Sequence, residues 1–241
     1  VSCVRSDAAR GIDVSYYQGT IDWARVRASG ISFAFIRVSD GGYVDPLFAT
    51  NWAGARAAGV LRGAYQFFRA GQDPIRQADM VAQLAIDPDL PPVVDVETTD
   101  GQTGERVVSA LTTWINRTKA LQKLSPLVYT GWGFWDDLPA SRLAIPHLAG
   151  LWQAEWGVPC PRPASGWRDW VFWQTTEHGR VDGIPVEVDL DVFAGTEVDL
   201  DGLLSRSRVR SLAPVLYAAG AGLVFGAVIG LAAAHARTSA R

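Results

Sequence analysis

The chain has 241 residues, 48% hydrophobic and 20% charged, with 24 Gly and 13 Pro; this is a globular make-up, and it excludes the disordered, collagen-like and low-complexity classes. A net charge of −3 gives no general drive toward nucleic acid, and three His with two Cys are too few for a Cys/His zinc cluster. Ten Trp and a mean hydropathy of +0.07 stand out beside 25 acidic and 22 basic residues, and such an average suggests two unlike segments joined together.

Residues 1–10 read as an N-terminal extension and carry no charged-then-apolar signal pattern. Cys3 lies in it, and Cys160 lies in the loop Val158-Pro159-Cys160-Pro161-Arg162-Pro163. The simplest reading is a Cys3–Cys160 disulfide that pins the amino terminus to the domain and marks an oxidising compartment.

From residue 11 to residue 203 a unit recurs. Apolar strand segments fall at 11–14, 31–38, 61–67, 92–96 and 126–130, with helical segments at 22–29, 47–58, 74–84 and 105–124 between them. The last helix has Val108, Leu111 and Ile115 near helical spacing. After Thr130 the helices fade, and strand segments at 151–154, 171–175 and 188–192 are joined by loops rich in Pro, Gly and Trp. Alternating strand and helix argues for a parallel sheet, and eight strands in this length argue for a degenerate barrel of TIM type, about (β/α)5(β)3.

In such a barrel the chemistry sits at the carboxyl ends of the strands. The polar residues there are Asp13, Arg37 with Asp40, Tyr65 with Gln66, Asp95 with Glu97, Tyr129, Trp152 with Glu155, Gln174 and Asp189. Tyr16, Tyr17, Tyr43, Trp132, Trp135 and Trp156 fall in or near the same loops and offer flat faces suited to a sugar ring. The sharpest segment is Pro91-Pro92-Val93-Val94-Asp95-Val96-Glu97. Two residues apart on a strand, Asp95 and Glu97 face one side, about 6–7 Å apart at their Cα atoms. Carboxylates that close repel, so one pKa rises, leaving one acid and one base near neutral pH, which suits glycosidic cleavage. The same pair would also suit a hard cation, or could serve only as a cap and a solvated side chain. Asp189 has a near copy of its surroundings in Val198-Asp199-Leu200-Asp201, so the local sequence does not say which Asp matters.

As a set, these segments resemble the glycoside hydrolase family 25 lysozymes, the Chalaropsis-type muramidases. Gly11-Ile12-Asp13-Val14-Ser15 with Tyr17-Gln18-Gly19 is similar to that family's first strand, and Ile21-Asp22-Trp23 and Phe33-Ala34-Phe35-Ile36-Arg37 to its next segments. Gly63-Ala64-Tyr65-Gln66-Phe67 resembles its third strand, although His is common there where this chain has Gln66. Val94-Asp95-Val96-Glu97 resembles the catalytic strand, and Trp173-Gln174 and Val188-Asp189 with Phe193 the last two. The resemblance implies a muramidase that cuts the β-1,4 bond between N-acetylmuramic acid and N-acetylglucosamine in peptidoglycan, without cofactor or metal. It implies Glu97 as general acid and Asp95 as assisting carboxylate, which either steadies a cation formed by the substrate's N-acetyl group or activates water. Asp13, Asp189, Tyr65, Arg37, Gln174, Tyr129 and Trp152 would line the substrate cleft. The alternative is a non-catalytic wall-binding module that keeps the cleft.

Residues 204–211 form a basic linker, and 212–234 is an uncharged, mostly apolar run of 23 residues. At about 1.5 Å per residue it reaches roughly 34 Å, enough for a bilayer core of roughly 30 Å. It reads as a transmembrane helix, followed by a short basic tail at 235–241. Gly222, Gly226 and Gly230 repeat every fourth residue and offer a face for self-association. The expected place is extracytoplasmic and membrane-anchored, in a bacterial or phage-derived wall context. Residues 206–241 hold five Arg and no acid, so residues 1–205, with 17 basic and 25 acidic residues, carry −8. All ten Trp belong to this acidic part.

Overall fold

The computed structural model describes residues 3–200. The apolar segments fold into nine strands: β1 (Ala8–Val14), β2 (Phe33–Asp40), β3 (Tyr43–Val44), β4 (Leu61–Phe67), β5 (Val93–Asp95), β6 (Leu127–Gly131), β7 (Gly150–Ala154), β8 (Phe172–Gly179) and β9 (Val188–Thr196). Helices α1 (Trp23–Ala28), α2 (Phe48–Ala57), α3 (Pro74–Leu84), α4 (Gly104–Gln122) and α5 (Trp132–Asp136) follow β1, β3, β4, β5 and β6 in turn. Their starts are written locally. Asp22, Asp73 and Thr103 each accept a hydrogen bond from a first-turn backbone N–H, and Pro74 opens α3 where no amide is needed. Lys123 ends α4 in a left-handed conformation, φ 59°.

The sheet runs β1-β9-β8-β7-β6-β5-β4-β2-β3 and closes through β1–β2 pairing into an eight-stranded barrel, with β3 as a short hairpin arm on β2. Five barrel strands lead to helices, as the sequence pattern implies; β7 and β8 do not, and β9 runs into helical residues at 197–200. The expectation of a parallel sheet needs one correction. β9 runs antiparallel to both β1 and β8. With no helix between β8 and β9, the chain turns straight back, and a direct turn joins only antiparallel strands. β1 also begins at Ala8, so part of the expected extension pairs with β9.

Strand alternation sorts side chains into two cores. Ile12, Val14, Ala34, Ile36, Val94, Val128 and Leu151 face outward into the layer shared with Trp114, Leu111 and the other helices. The barrel interior is aromatic instead. Phe33 and Phe35 on β2 meet Phe172 on β8 at centroid distances of 5.0 Å, and Phe35 stacks on Trp152 of β7 at 4.4 Å. Gly11 and Gly63 make room for these rings, since a Cβ would come within 2.2 Å of Phe33 and 2.4 Å of Phe35. The rings close the barrel below the site and form its floor. Cys3 and Cys160 are disulfide-bonded, with Cα atoms 5.3 Å apart.

Among the described residues no helix is long and apolar enough to cross a membrane. The basic linker, the 212–234 segment with Gly222, Gly226 and Gly230, the 235–241 tail and the 203 boundary all lie outside the described residues.

Candidate active site

A cleft of about 380 Å³ opens above the aromatic floor, at the carboxyl ends of the parallel strands. All nine residues expected to form the site line it: Asp13, Arg37, Tyr65, Asp95, Glu97, Tyr129, Trp152, Gln174 and Asp189. Each is there for a strand reason. Asp13, Arg37, Tyr65, Asp95, Tyr129 and Trp152 occupy inward positions in or near the carboxyl halves of β1, β2, β4, β5, β6 and β7, and Gln174 ends the stretch of β8 that pairs with β7. Asp189 reaches the same rim from the amino end of β9, because that strand is reversed; its Cα partner is Asp13. Glu97 lies two residues past Asp95, beyond the end of β5, and is exposed.

Inward alternation also places Asp191 one layer below Asp189, fully buried, where its Oδ1 accepts from Trp152 Nε1 at 2.9 Å. Asp199, the near copy, instead accepts from the backbone N–H and hydroxyl of Thr196 and stays outside the cleft. Gln174 is the hub of the polar wall. Its Nε2 donates to Asp13 Oδ2 at 2.7 Å, and its Oε1 accepts from Tyr129 OH at 2.9 Å and Trp156 Nε1 at 3.0 Å.

Several pairings differ from the sequence reading. Arg37 does not pair with Asp40. It donates through Nε to buried Asp45 at 3.0 Å, and Asp45 also accepts from the N–H groups of Tyr16 and Leu47. Asp40 instead takes Arg69, with Nη2 to Oδ2 at 2.7 Å. A register shift between Arg37 and Ser39 brings Asp40 as well as Arg37 to the cleft. Gln66 faces away from the site. It donates to Ser39 Oγ at 2.7 Å and accepts from Trp114 Nε1 at 2.7 Å, under α4. Trp135 is buried and donates to Ser165 O, so it offers no face to the cleft, and Glu155 accepts from Trp132 Nε1 at 3.0 Å without lining it. Arg69, Asp45 and Asp191 are the contributors that sequence reasoning missed. The inward parity of Asp191 with Asp189 was the one readable signal.

Burial and crowding dominate the electrostatics. Burial raises the Asp95 carboxyl well above its ordinary range, the charge of Glu97 adds to this, and Arg37 and Arg69 oppose it. Partial burial raises Glu97, with Asp189 adding and Arg69 opposing. Burial raises Asp13 well above its ordinary range, helped by Asp189 and Asp191 and opposed by the Gln174 hydrogen bond. Burial also lifts Asp191 well above it, and Asp189 to about 6. Tyr65 and Tyr129, raised by burial, remain neutral hydroxyls. The cleft therefore holds protons near neutral pH on groups that are normally ionised. Among the described residues no set of three or more His, Cys, Asp or Glu is arranged to hold a metal ion.

This arrangement has counterparts among known proteins. The sequence profile described as "Glycosyl hydrolases family 25" matches residues 12–184. Lysozyme M1 of Streptomyces globisporus is 34% identical, over 84% of this chain and 73% of its own. The crystal structure of the bacterial lysozyme from Streptomyces coelicolor superposes with a TM-score of 0.78 at 30% identity, covering 84% of this chain and all of that one. A muramidase from Trichobolus zukalii superposes with a TM-score of 0.72 at 28% identity, over 82% of this chain and 98% of its own. With the profile, the barrel and the acid-lined cleft in agreement, the chain belongs to glycosyl hydrolases family 25 and is a glycoside hydrolase of lysozyme type.

Proposed function

We propose that the chain is an N-acetylmuramidase that cuts the β-1,4 bond between N-acetylmuramic acid and N-acetylglucosamine in peptidoglycan, with Glu97 as general acid and Asp95 as assisting carboxylate. The observation that carries this reading is that Asp95 and Glu97 share one cleft in unlike surroundings, Asp95 buried and Glu97 open. Coupled carboxyls of this kind keep one proton between them near neutral pH. In the empty cleft burial holds that proton more tightly on Asp95, but Glu97 is the member a glycosidic oxygen can reach, and the proton passes to it when substrate binds. Glu97 gives its proton to that oxygen as the bond to the anomeric carbon breaks, and the leaving sugar departs as an alcohol. Positive charge then develops at the anomeric carbon, and an ionised Asp95 in a low-dielectric wall stabilises it. Water completes hydrolysis, and its second proton returns to the pair. Asp13, Asp189, Tyr65, Tyr129, Trp152 and Gln174 hold the substrate or the groups that touch it.

In the same reading the barrel works outside the cytoplasmic membrane. The Cys3–Cys160 disulfide supports an oxidising compartment. Residues 204–211 link the barrel to a membrane span at 212–234, with 235–241 on the inner side and the Gly222, Gly226, Gly230 face free to pair with a second span. The support for these last assignments is the uncharged run and its basic flanks in the sequence.

Digestion of purified peptidoglycan by the full chain tests the chemistry. New reducing ends are expected on N-acetylmuramic acid. Glu97→Gln should lower the rate by about 10²–10⁴-fold, the range for loss of a general acid, and Asp95→Asn should also lower it. Ends on N-acetylglucosamine, or undiminished lysis by both variants, would overturn the assignment.

A further inference from the structure

Of the two arginines that line the cleft, one is fully engaged. Arg69 is bound by Asp40 through two nitrogens, and its remaining one lies 3.7 Å from Asp100. Arg37 is different. It is only 9% exposed, yet its side chain spends a single nitrogen, Nε, on Asp45. Among the described residues neither of its terminal amino groups has a hydrogen-bond partner, and neither is sealed from solvent. The guanidinium is also held from the side, its Cζ 5.0 Å from the Tyr16 ring centroid and 5.3 Å from that of Tyr17. Asp45, which anchors it, is itself fixed by the backbone N–H groups of Tyr16 and Leu47. A buried cation with two idle donors, clamped on one edge and open on the other to a substrate cleft, is built to receive an oxygen ligand.

We infer that Arg37 is a specificity residue whose two terminal amino groups bind the lactyl ether carboxyl of muramic acid, through both oxygens when it is free and through its one carbonyl oxygen when it is amide-linked to a stem peptide. This rests on the muramidase reading above and deepens it. Three features favour this group. The fork matches a planar carboxyl, and a carboxylate is the stronger acceptor. The lining carries five carboxyls, Asp13, Asp40, Asp95, Glu97 and Asp189, and its other cation, Arg69, is already engaged by Asp40, so an anionic substituent is best placed beside Arg37. Arg37 also lowers the pKa of Asp95, which places its charge near the reacting centre, where the lactyl substituent of the sugar being cut must lie. Neutral amino-sugar chains lack the substituent and leave the two donors unpaired.

The test compares peptide-free glycan strands carrying free lactyl carboxylates with the same strands converted to the methylamide. Wild type, Arg37→Lys and Arg37→Gln are each measured as full chains. Binding is read by tryptophan fluorescence in a Glu97→Gln background, so that the outcome does not depend on hydrolysis. Wild-type Arg37 should bind the carboxylate strands about tenfold more tightly than the methylamide strands, the difference between a charge-assisted and a neutral hydrogen bond. Arg37→Lys, which keeps a charge against Asp45 and so guards against misfolding, should lose most of this ratio. Arg37→Gln should bring it to about one, and in the Glu97-intact protein the defect should appear in KM more than in kcat. An unchanged carboxylate-to-methylamide ratio in both Arg37 variants, with near-ultraviolet circular dichroism showing them folded, would overturn the assignment of Arg37. A normal ratio without hydrolysis by the Glu97-intact protein would overturn the muramidase reading and leave Arg37 standing.

Discussion

Asp189→Asn should stabilise the protein above pH 6 while lowering its activity. Burial lifts the Asp189 carboxyl from 3.8 to about 6, against the opposing hydrogen bond with Asp13. An acid with a raised folded-state pKa holds its proton more tightly folded than unfolded. It therefore favours the folded state below about pH 4, and this advantage is lost as the pH rises through about 6. A gap of about two pH units at about 1.4 kcal/mol each is roughly 3 kcal/mol. Solvent at the cleft rim screens part of it, so roughly 1–3 kcal/mol is the expected gain above pH 7. The amide of the variant cannot ionise, and its oxygen can still accept the hydrogen bond that protonated Asp13 gives to Asp189. Urea unfolding followed by tryptophan fluorescence, from about pH 4 to about pH 8, measures the difference. The curves for variant and wild type should meet near pH 4 and separate as the pH rises. A constant offset across that range, or a variant less stable at pH 8, would refute the reasoning.

Two further outcomes concern parts of the barrel away from the acids. Arg62 is 2% exposed at the start of β4, opposite the cleft, and donates to Asp89 at 3.1 Å, Trp52 O at 3.1 Å and Asp87 O at 2.9 Å. Arg62→Met should cost about 3–5 kcal/mol in chemical unfolding by removing the buried guanidinium that bonds Asp89, Trp52 O and Asp87 O, with KM unchanged in the folded fraction; a rise in KM would contradict the separation of the two barrel ends. Cys3→Ser should cost about 2–4 kcal/mol, the usual worth of a disulfide closing a long loop, and should abolish the sensitivity of the melting temperature to reductant. A Cys3→Ser protein that melts like wild type in the absence of reductant would show that the link does not hold the fold.

Much of the barrel was legible because each strand is a short apolar run and each helix of α1, α3 and α4 has its cap written beside it. The site was legible for a related reason: alternation and strand ends are local, so Asp13, Tyr65, Asp95 and Gln174 could be placed from their own strands. Errors arose where alternation was not applied strictly. Tyr65 and Gln66 cannot both face inward, and the structure sends Gln66 out to Trp114. Other features depend on distant partners. Arg37 pairs with Asp45 and Arg69 with Asp40 across separate segments, and the register shift in β2 between Arg37 and Ser39 is announced by no residue in that strand. The reversal of β9 was signalled only by the missing helix before it. Asp189 was expected at the carboxyl end of a strand; it lies instead at the amino end of β9, and the reversal brings it to the rim.

The distribution of charge in the cleft has a thermodynamic logic. Five acids around one pocket are unfavourable to fold at neutral pH, and every one whose pKa rises weakens the folded state as the pH climbs. Asp13, Asp95 and Asp189 are held on strands above the aromatic layer of Phe33, Phe35, Trp152 and Phe172, with Glu97 just past the end of β5. The two arginines then divide the remaining work. Arg69, bound to Asp40 and Asp100, is spent on the protein and lowers the pKa of both Asp95 and Glu97. Arg37, bound to Asp45 through one nitrogen, keeps its other donors for a ligand. Exchanging the surroundings of these two arginines would leave the net charge of the cleft unchanged and destroy its arrangement, so the total charge says less about this site than which donors are already used.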